Sequence, residues 1–259
     1  MILYFTGTGN SQFAADALAD MMHDPGKISM NEILQKNLPA SFYSERPFVI
    51  VSPIYAWNLP DIIRELIRKA KFSGSRKIYF TATMGSETGH CAQTCKNICR
   101  EKKLEFMGFC GIRMPDNYIV ADNPPVQETI NRILAQAKNQ LAGISQKITA
   151  GEPIQNTDWT PAAWLKSGLI HSLFEKFAAS NYRFTVSESC ISCGKCSAVC
   201  PVNNIRLVDG KPVWGKKCIS CLGCINRCPT RAIEIKGKTE KHGRYICPNY
   251  SRIEEKAEN

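Results

Sequence analysis

Two cysteine runs near the C-terminus constrain this chain more than any other feature. Cys190, Cys193, Cys196 and Cys200, followed by Pro201, recur 28 positions later as Cys218, Cys221, Cys224 and Cys228, followed by Pro229. Ile191-Ser192 matches Ile219-Ser220, and Ile205 matches Ile233, so the segment reads as a duplicated module. Each run has the form C-x2-C-x2-C-x3-C-P. Three thiolates within seven residues can wrap one corner of a compact cluster, and the Pro holds the fourth cysteine away from them. In a two-cluster arrangement that fourth cysteine ligates the other cluster. The expected ligand sets are therefore Cys190, Cys193, Cys196 and Cys228 for one 4Fe–4S centre, and Cys218, Cys221, Cys224 and Cys200 for the second. Zinc ribbons instead use separated C-x2-C pairs with a long spacer; here the third cysteine follows too soon. Gly194 and Gly223 are expected to let backbone amides approach the sulfurs.

The chain has 259 residues and 13 cysteines. An odd total in a chain of this length argues against a disulfide framework. The opening Met1-Ile2-Leu3-Tyr4-Phe5 has no basic flank or small-residue cleavage site, and no apolar run approaches the ~18 residues of a membrane span. The expected setting is a reducing cytoplasm with thiolates used as metal ligands. Cys91, Cys95 and Cys99 fall on one face of an expected helix and read as small packed residues. Cys110 reads as core, and Cys247 receives no role.

Residues 1–150 alternate strand and helix. Ile2–Phe5, Phe48–Val51, Ile78–Ala82 and Leu104–Ile112 are apolar strand-like runs. Helical patterns cover Asn10–Met22, a segment opened by Pro60-Asp61, Thr88–Lys103 and Val126–Ile148. Such alternation predicts a parallel sheet covered on both faces. Residues 151–182 form a connection in which Trp164, Leu165, Leu169, Leu173, Phe174 and Phe177 mark an amphipathic helix, expected to pack its apolar stripe between the flanking parts. Residues 183–259 hold the cysteine module and a polar tail, frayed over about its last dozen residues.

Thr6-Gly7-Thr8-Gly9-Asn10-Ser11 joins the first strand to the first helix. A helix N-terminus with free amides is an anion site. The loop lacks the Lys of a Walker A motif, and Gln12 stands where a dinucleotide fingerprint has its third Gly. It resembles the phosphate loop of flavodoxins, over roughly residues 1–150 in element order. That resemblance implies a five-stranded, doubly wound parallel sheet and an FMN whose phosphate is bound without a cation. It also implies two ring loops at the strand ends: Pro53, Ile54, Tyr55, Ala56, Trp57 and Asn58, then Thr83, Met84, Gly85 and Gly89. Tyr55 or Trp57 is expected to stack on the ring. Many flavodoxins have a Gly in the first ring loop; this loop has none, and Asn58 is its residue suited to positive φ. His90 is a weak candidate for proton donation, and no other catalytic residue is assigned.

Residues 183–236 resemble bacterial two-cluster ferredoxins, which implies low-potential one-electron transfer. A flavodoxin-like part followed by a small α+β two-cluster part resembles the flavodoxin–ferredoxin fusion family, and the implied role is electron relay between the clusters and the flavin. The alternative is an FMN-dependent reductase of a quinone, nitro compound or disulfide, fed by the clusters. The formal charge of +10 first suggests nucleic acid, but the basic residues are spread along the chain. Two clusters at about −2 each and a phosphate near −2 bring the loaded protein to about +4. The expected partner is a redox protein, an acidic one being favoured, with no nucleic acid.

Overall fold

A computed structural model describes residues 1–24, 26–155, 166–174, 182–248 and 250. The N-terminal part runs β1 (Ile2–Tyr4), α1 (Asn10–Met21), β2 (Lys27–Ser29), α2 (Met30–Lys36), β3 (Ser41–Ser44) and β4 (Phe48–Pro53). It continues through α3 (Asp61–Lys69), β5 (Lys71–Gly74), β6 (Lys77–Met84), α4 (Cys91–Glu101), β7 (Glu105–Arg113) and α5 (Gln127–Ala150). Five strands form one parallel sheet in the order β2-β1-β4-β6-β7. This is the flavodoxin-like doubly wound order, and its direction of winding reverses between β1 and β4. The polar three-residue edge strand β2, helix α2 and the small parallel pair β3–β5 carry too little apolar pattern to stand out in sequence.

The strands are continuously apolar because both faces are covered. Leu3, Phe5, Ile50 and Phe80 point to one layer, with Ile63, Ile67 and the cysteines of α4. Their neighbours Ile2, Val49, Val51 and Tyr79 point to the other, with α1 and α5. Cys91, Cys95 and Cys99 are buried. Burial pushes the Cys95 thiol well up and Cys99 up to about 12, which keeps them protonated. Beyond α5 the chain stays on the sheet: Ile154 bridges Gly108 in β7. Gly108 has φ +124°, and a Cβ there would strike the Ile154 carbonyl at 2.1 Å.

The cysteine module follows a π-turn, Lys166–Ile170, that leads into α6 (His171–Leu173). It contains β8 (Phe184–Val186), α7 (Lys195–Ala198), the hairpin β9 (Ile205–Val208) and β10 (Lys211–Trp214), α8 (Gly223–Asn226) and β11 (Ile233–Ile235), which pairs antiparallel with β8. The duplication extends to the backbone. Ser192 and Ser220 have φ 58° and 56°, Gly194 and Leu222 75° and 54°, Asn203 and Arg231 49° and 51°. The Asn204 amide donates to the Cys200 sulfur and the Ala232 amide to the Cys228 sulfur, both at 3.2 Å. The counterpart of Gly194 is Leu222, in backbone conformation as in the 28-residue shift.

Two residues of the stripe expected of the connecting segment face outward, while a third, Phe174, lines the large cavity described below. Leu169 and Leu173 are 61% and 47% exposed, whereas Ser167 and His171 are buried. The surface they meet presents backbone carbonyls, which need donors rather than methyl groups. Trp164, Leu165 and Phe177 lie outside the described residues. Among the described residues no helix is long and apolar enough to cross a membrane.

If Cys95 is a packing residue, Cys95→Ser should cost about 1–3 kcal/mol by burying a hydroxyl in an apolar layer. Cys95→Ala should cost less, and both should keep the wild-type visible spectrum. A changed spectrum in the loaded protein would assign the thiol a different role.

Candidate functional site

Two small cavities flank α7 and α8. Cys190, Cys193, Cys196 and Cys228 line the first, with Ile191, Leu207, Pro212 and Ile233. Cys200, Cys218, Cys221 and Cys224 line the second, with Phe184, Ile205, Trp214 and Leu222. The fourth cysteine of each run has crossed to the other run's cavity. Among the described residues no three His, Cys, Asp or Glu side chains converge as a single ion would need; the thiols ring a space instead. Burial pushes Cys221 up to about 12, helped by the neighbouring Cys218 and Cys200, and also pushes Cys224 well up. These thiols keep their protons until a metal displaces them. The Trp214 indole N–H is buried without an oxygen or nitrogen acceptor and favours the ionised form of Cys224. Such a donor suits a sulfur-rich, anionic group.

A larger cavity of about 390 Å³ opens at the carboxyl ends of β1, β4, β6 and β7, within the size range of cofactor sites. One end is the loop of Thr6, Gly7, Thr8, Asn10 and Ser11; the other is Tyr55, Ala56, Trp57 and the turn from Met84 to Glu87. Gly9 is the N-cap of α1, with φ +103°, and no side chain caps the helix. Its first-turn amides are left as donors for an anion. The loop is braced by its neighbours: Asn31 bonds both the Thr6 amide and carbonyl, Ser11 pairs with Thr83, and Asn117 donates to Thr8 Oγ1 at 2.6 Å. These donors and this volume fit a flavin phosphate and ring.

The ring end is a two-residue hairpin. Tyr55 and Asn58 exchange both backbone hydrogen bonds, and Ala56 and Trp57 between them have φ 43° and 65°. Positive φ at both central positions is the signature of a type I′ turn, usually built with Gly or Asn. Here it is Ala56 and Trp57, not Asn58, that adopt it, at a cost of order 1–3 kcal/mol each. The connecting segment holds the turn. His171 is 1% exposed, and its Nδ1 lies 2.9 Å from the Tyr55 carbonyl and 3.2 Å from that of Ala56. Two carbonyls can only accept, so Nδ1 carries the proton. Nε2 faces Asp61 at 3.0 Å and Arg64 at 3.1 Å. Ser167 donates to the Trp57 carbonyl at 2.7 Å and accepts from the His90 amide. Lys166 lies over the Trp57 ring and pairs with Glu87.

The cysteine module is packed directly against the glycine loop. A Cβ on Gly7 would sit 2.5 Å from the Cys221 carbonyl oxygen, and one on Gly9 would sit 2.6 Å from Tyr250 Cβ and 2.8 Å from Cys247 Cβ. Arg227 donates to the Gly7 carbonyl at 2.8 Å, Tyr245 to Asn10 Oδ1 at 2.8 Å, and the Cys247 amide to the Thr8 carbonyl at 2.9 Å. Gln35 donates to the carbonyls of Ala198 and Cys200. The residues around Cys247, which carried no sequence signal, back the loop. Ser220, Cys221 and Leu222 line the large cavity, and Cys221 and Leu222 also line the second cysteine cavity.

Thirteen of the sixteen residues expected at the flavin line the large cavity; Gly9, Asn58 and Gly89 do not. Asn58 caps Leu59 and donates to Ser167, and the space beside Gly89 holds Ser167 and Trp57. His90 does not line the cavity either. Sequence reasoning missed Pro115 to Tyr118, which follow β7 and were open to the same strand-end rule. It also missed Phe174, Ser167, His171 and Ser220 to Leu222, which come from distant sequence and had no local motif.

Residues 189–233 match the family model of a 4Fe-4S dicluster domain. Among similar solved structures, a flavodoxin from the domain Archaea is 15% identical, with 57% of this chain and 96% of that one covered at a TM-score of 0.35. The two-electron reduced flavodoxin of Megasphaera elsdenii is 14% identical over 54% of this chain and 99% of that one, at 0.32. A metal-soaked flavodiiron core from Synechocystis is 15% identical at 0.34; 58% of this chain aligns, and it spans 36% of that core. No curated protein matches the chain.

Removing the imidazole takes a donor from the Ala56 carbonyl and one of two from the Tyr55 carbonyl, which keeps the Asn58 amide, a cost of about 1–3 kcal/mol in all. His171→Ala should therefore speed amide exchange over residues 54–59 by roughly tenfold or more, since ~1.4 kcal/mol is a factor of ten. Exchange at the wild-type rate would mean that the turn is held by something else.

Proposed function

We propose that this fusion of a flavodoxin-like part and a 4Fe–4S dicluster part is an electron relay. Its carriers would be a first cluster on Cys190, Cys193, Cys196 and Cys228, a second on Cys200, Cys218, Cys221 and Cys224, and an FMN in the large cavity. The parts would divide at 1–150, 151–182 and 183–259. The observation that carries this reading is the shared wall: Cys221 and Leu222 line both the second cysteine cavity and the large one. Electron tunnelling falls steeply with distance, so a ligand residue in the flavin wall is the effective place for exchange. When bound, a flavin supplies one- and two-electron chemistry and the clusters one-electron steps.

This chain's residues would do the rest. The amides of α1, with Thr8 and Ser11, hold the phosphate. The Tyr55–Asn58 turn positions an aromatic wall beside the ring, and residues 166–174 with Tyr118 shut water from it. Cys193 is the one exposed thiol among the eight, which makes the first cluster the site of exchange with an external partner. Lys195, Arg206 and Lys211 are on the elements around it, an arrangement that favours an acidic protein carrier.

Anaerobically purified protein should contain about eight irons, eight sulfides and one FMN per chain. Rapid mixing with a one-electron reductant should bleach the iron–sulfur bands before the flavin band. Fewer irons, absence of FMN or simultaneous bleaching at every reductant concentration would count against the relay. Gly7→Val, which drives a side chain into the Cys221 carbonyl, should slow flavin bleaching at least tenfold with iron content unchanged.

A further inference from the structure

The glycine loop is held from behind by residues that follow the cysteine module. The Thr8–Gly9 peptide is pinned at both ends: the Gly9 amide donates to Thr6 Oγ1 at 3.0 Å, and the Thr8 carbonyl accepts from the Cys247 amide at 2.9 Å. That leaves the amides of Asn10, Ser11 and Gln12 as the donors at the start of α1. The Asn10 side chain is a tie within the protein. Its Oδ1 accepts from the Tyr245 hydroxyl at 2.8 Å, and its Nδ2 donates to the Pro115 carbonyl at 2.9 Å. Tyr245 and Cys247 are buried against Ile130 of α5, beside Phe13 of α1. The Tyr245 amide donates to Asn226 Oδ1 at 2.9 Å, and Asn226 Nδ2 donates to the Leu222 carbonyl at 3.0 Å. Asn226, Tyr245 and Asn10 are all buried. One chain of hydrogen bonds therefore runs from Leu222, in the wall of both cavities, to Pro115, in the wall of the large one.

We infer that Tyr245 and Asn226 are positioning residues that aim the first-turn amides of α1 at a phosphate, and so set a preference for a phosphorylated flavin over the free one. This rests on the reading of the large cavity as an FMN site. No side chain caps α1, and an uncapped first turn frays. Tyr245 restrains that turn from outside by fixing Asn10, its first residue. Asn226 fixes Tyr245 in turn. Donors that are already aimed lose no freedom when the anion arrives, so restraint of the turn appears as affinity. A flavin without a phosphate makes no use of these amides and gains nothing from the chain. Asn226 ends α8, the helix that carries Cys224, so the aim of the loop is set by the second cysteine run as well as by the sheet.

The test is an anaerobic fluorescence titration of the full, iron-loaded chain, freed of flavin by dialysis, with FMN and with riboflavin. Iron is counted first in every variant. Tyr245→Phe should raise the Kd for FMN about tenfold, the size of one buried hydrogen bond left unmade, and leave that for riboflavin within about twofold. Asn226→Ala should show the same split. The double variant should lose little more than either single one, because the two residues act in series. Unchanged FMN affinity in Tyr245→Phe, equal losses for FMN and riboflavin, or additive losses in the double variant would overturn the inference. If Asn226→Ala takes up no iron, the FMN-to-riboflavin split in Tyr245→Phe decides alone. A wild type that binds neither flavin would sink the relay reading instead. Calorimetric titration with inorganic phosphate would then decide for Tyr245, with weaker binding expected in Tyr245→Phe and equal binding counting against it.

Discussion

The structure depends on a contact that two missing side chains allow. Gly7 carries no Cβ, so the Cys221 carbonyl lies where one would be. A Cβ on Gly223 would sit 3.2 Å from the Gly7 carbonyl, which also accepts from Arg227. Any larger residue at position 7 would drive the loop and the second cysteine run apart, and with them the wall shared by the two cavities. Fusing two carriers on a flexible linker raises only their effective concentration. This packing fixes their distance as well. The same loop meets Cys247 and Tyr250 at Gly9, so its glycines make room for the protein's own C-terminal segment as much as for a ligand.

The ring loop shows how a strained element is retained. Ala56 and Trp57 in the left-handed region are unfavourable alone, and the Tyr55, Ala56 and Trp57 carbonyls of their turn meet the connecting segment. His171 and Ser167 supply the donors those carbonyls need, so the connecting segment offers polar groups there beside the Phe174 of its expected apolar stripe. The segment is thereby part of the site rather than a spacer. Phe174 reaches the large cavity from its far end.

The two cysteine cavities follow from a short repeated backbone program. Paired left-handed residues and an amide donated to each fourth cysteine recur with the 28-residue period. A polynuclear centre suits these rings of thiols because its corners are spread, and the apolar walls of Ile191, Leu207, Ile205 and Trp214 exclude water. What differs between the repeats is the neighbourhood. One cavity opens beside the exposed Cys193, and the other is pressed against the glycine loop.

The sequence by itself determined the parallel sheet, through four apolar strand-like runs separated by helical ones. It also determined the cross-paired cysteine sets around the two small cavities, through spacing and the trailing prolines, and the place of the glycine loop between the first strand and the first helix. These are local patterns, and local backbone physics suffices to read them. Tertiary structure alone decided what those patterns face. It set Cys221 in the wall of the large cavity, placed Arg227 on Gly7 across 220 residues of chain, and brought His171 under a turn more than a hundred residues away. Such contacts carry no periodicity, because each is made by a residue whose partner is fixed only once the two parts pack together. The mild positive charge read from composition became specific in the same way, as one buried guanidinium at the junction of the two parts.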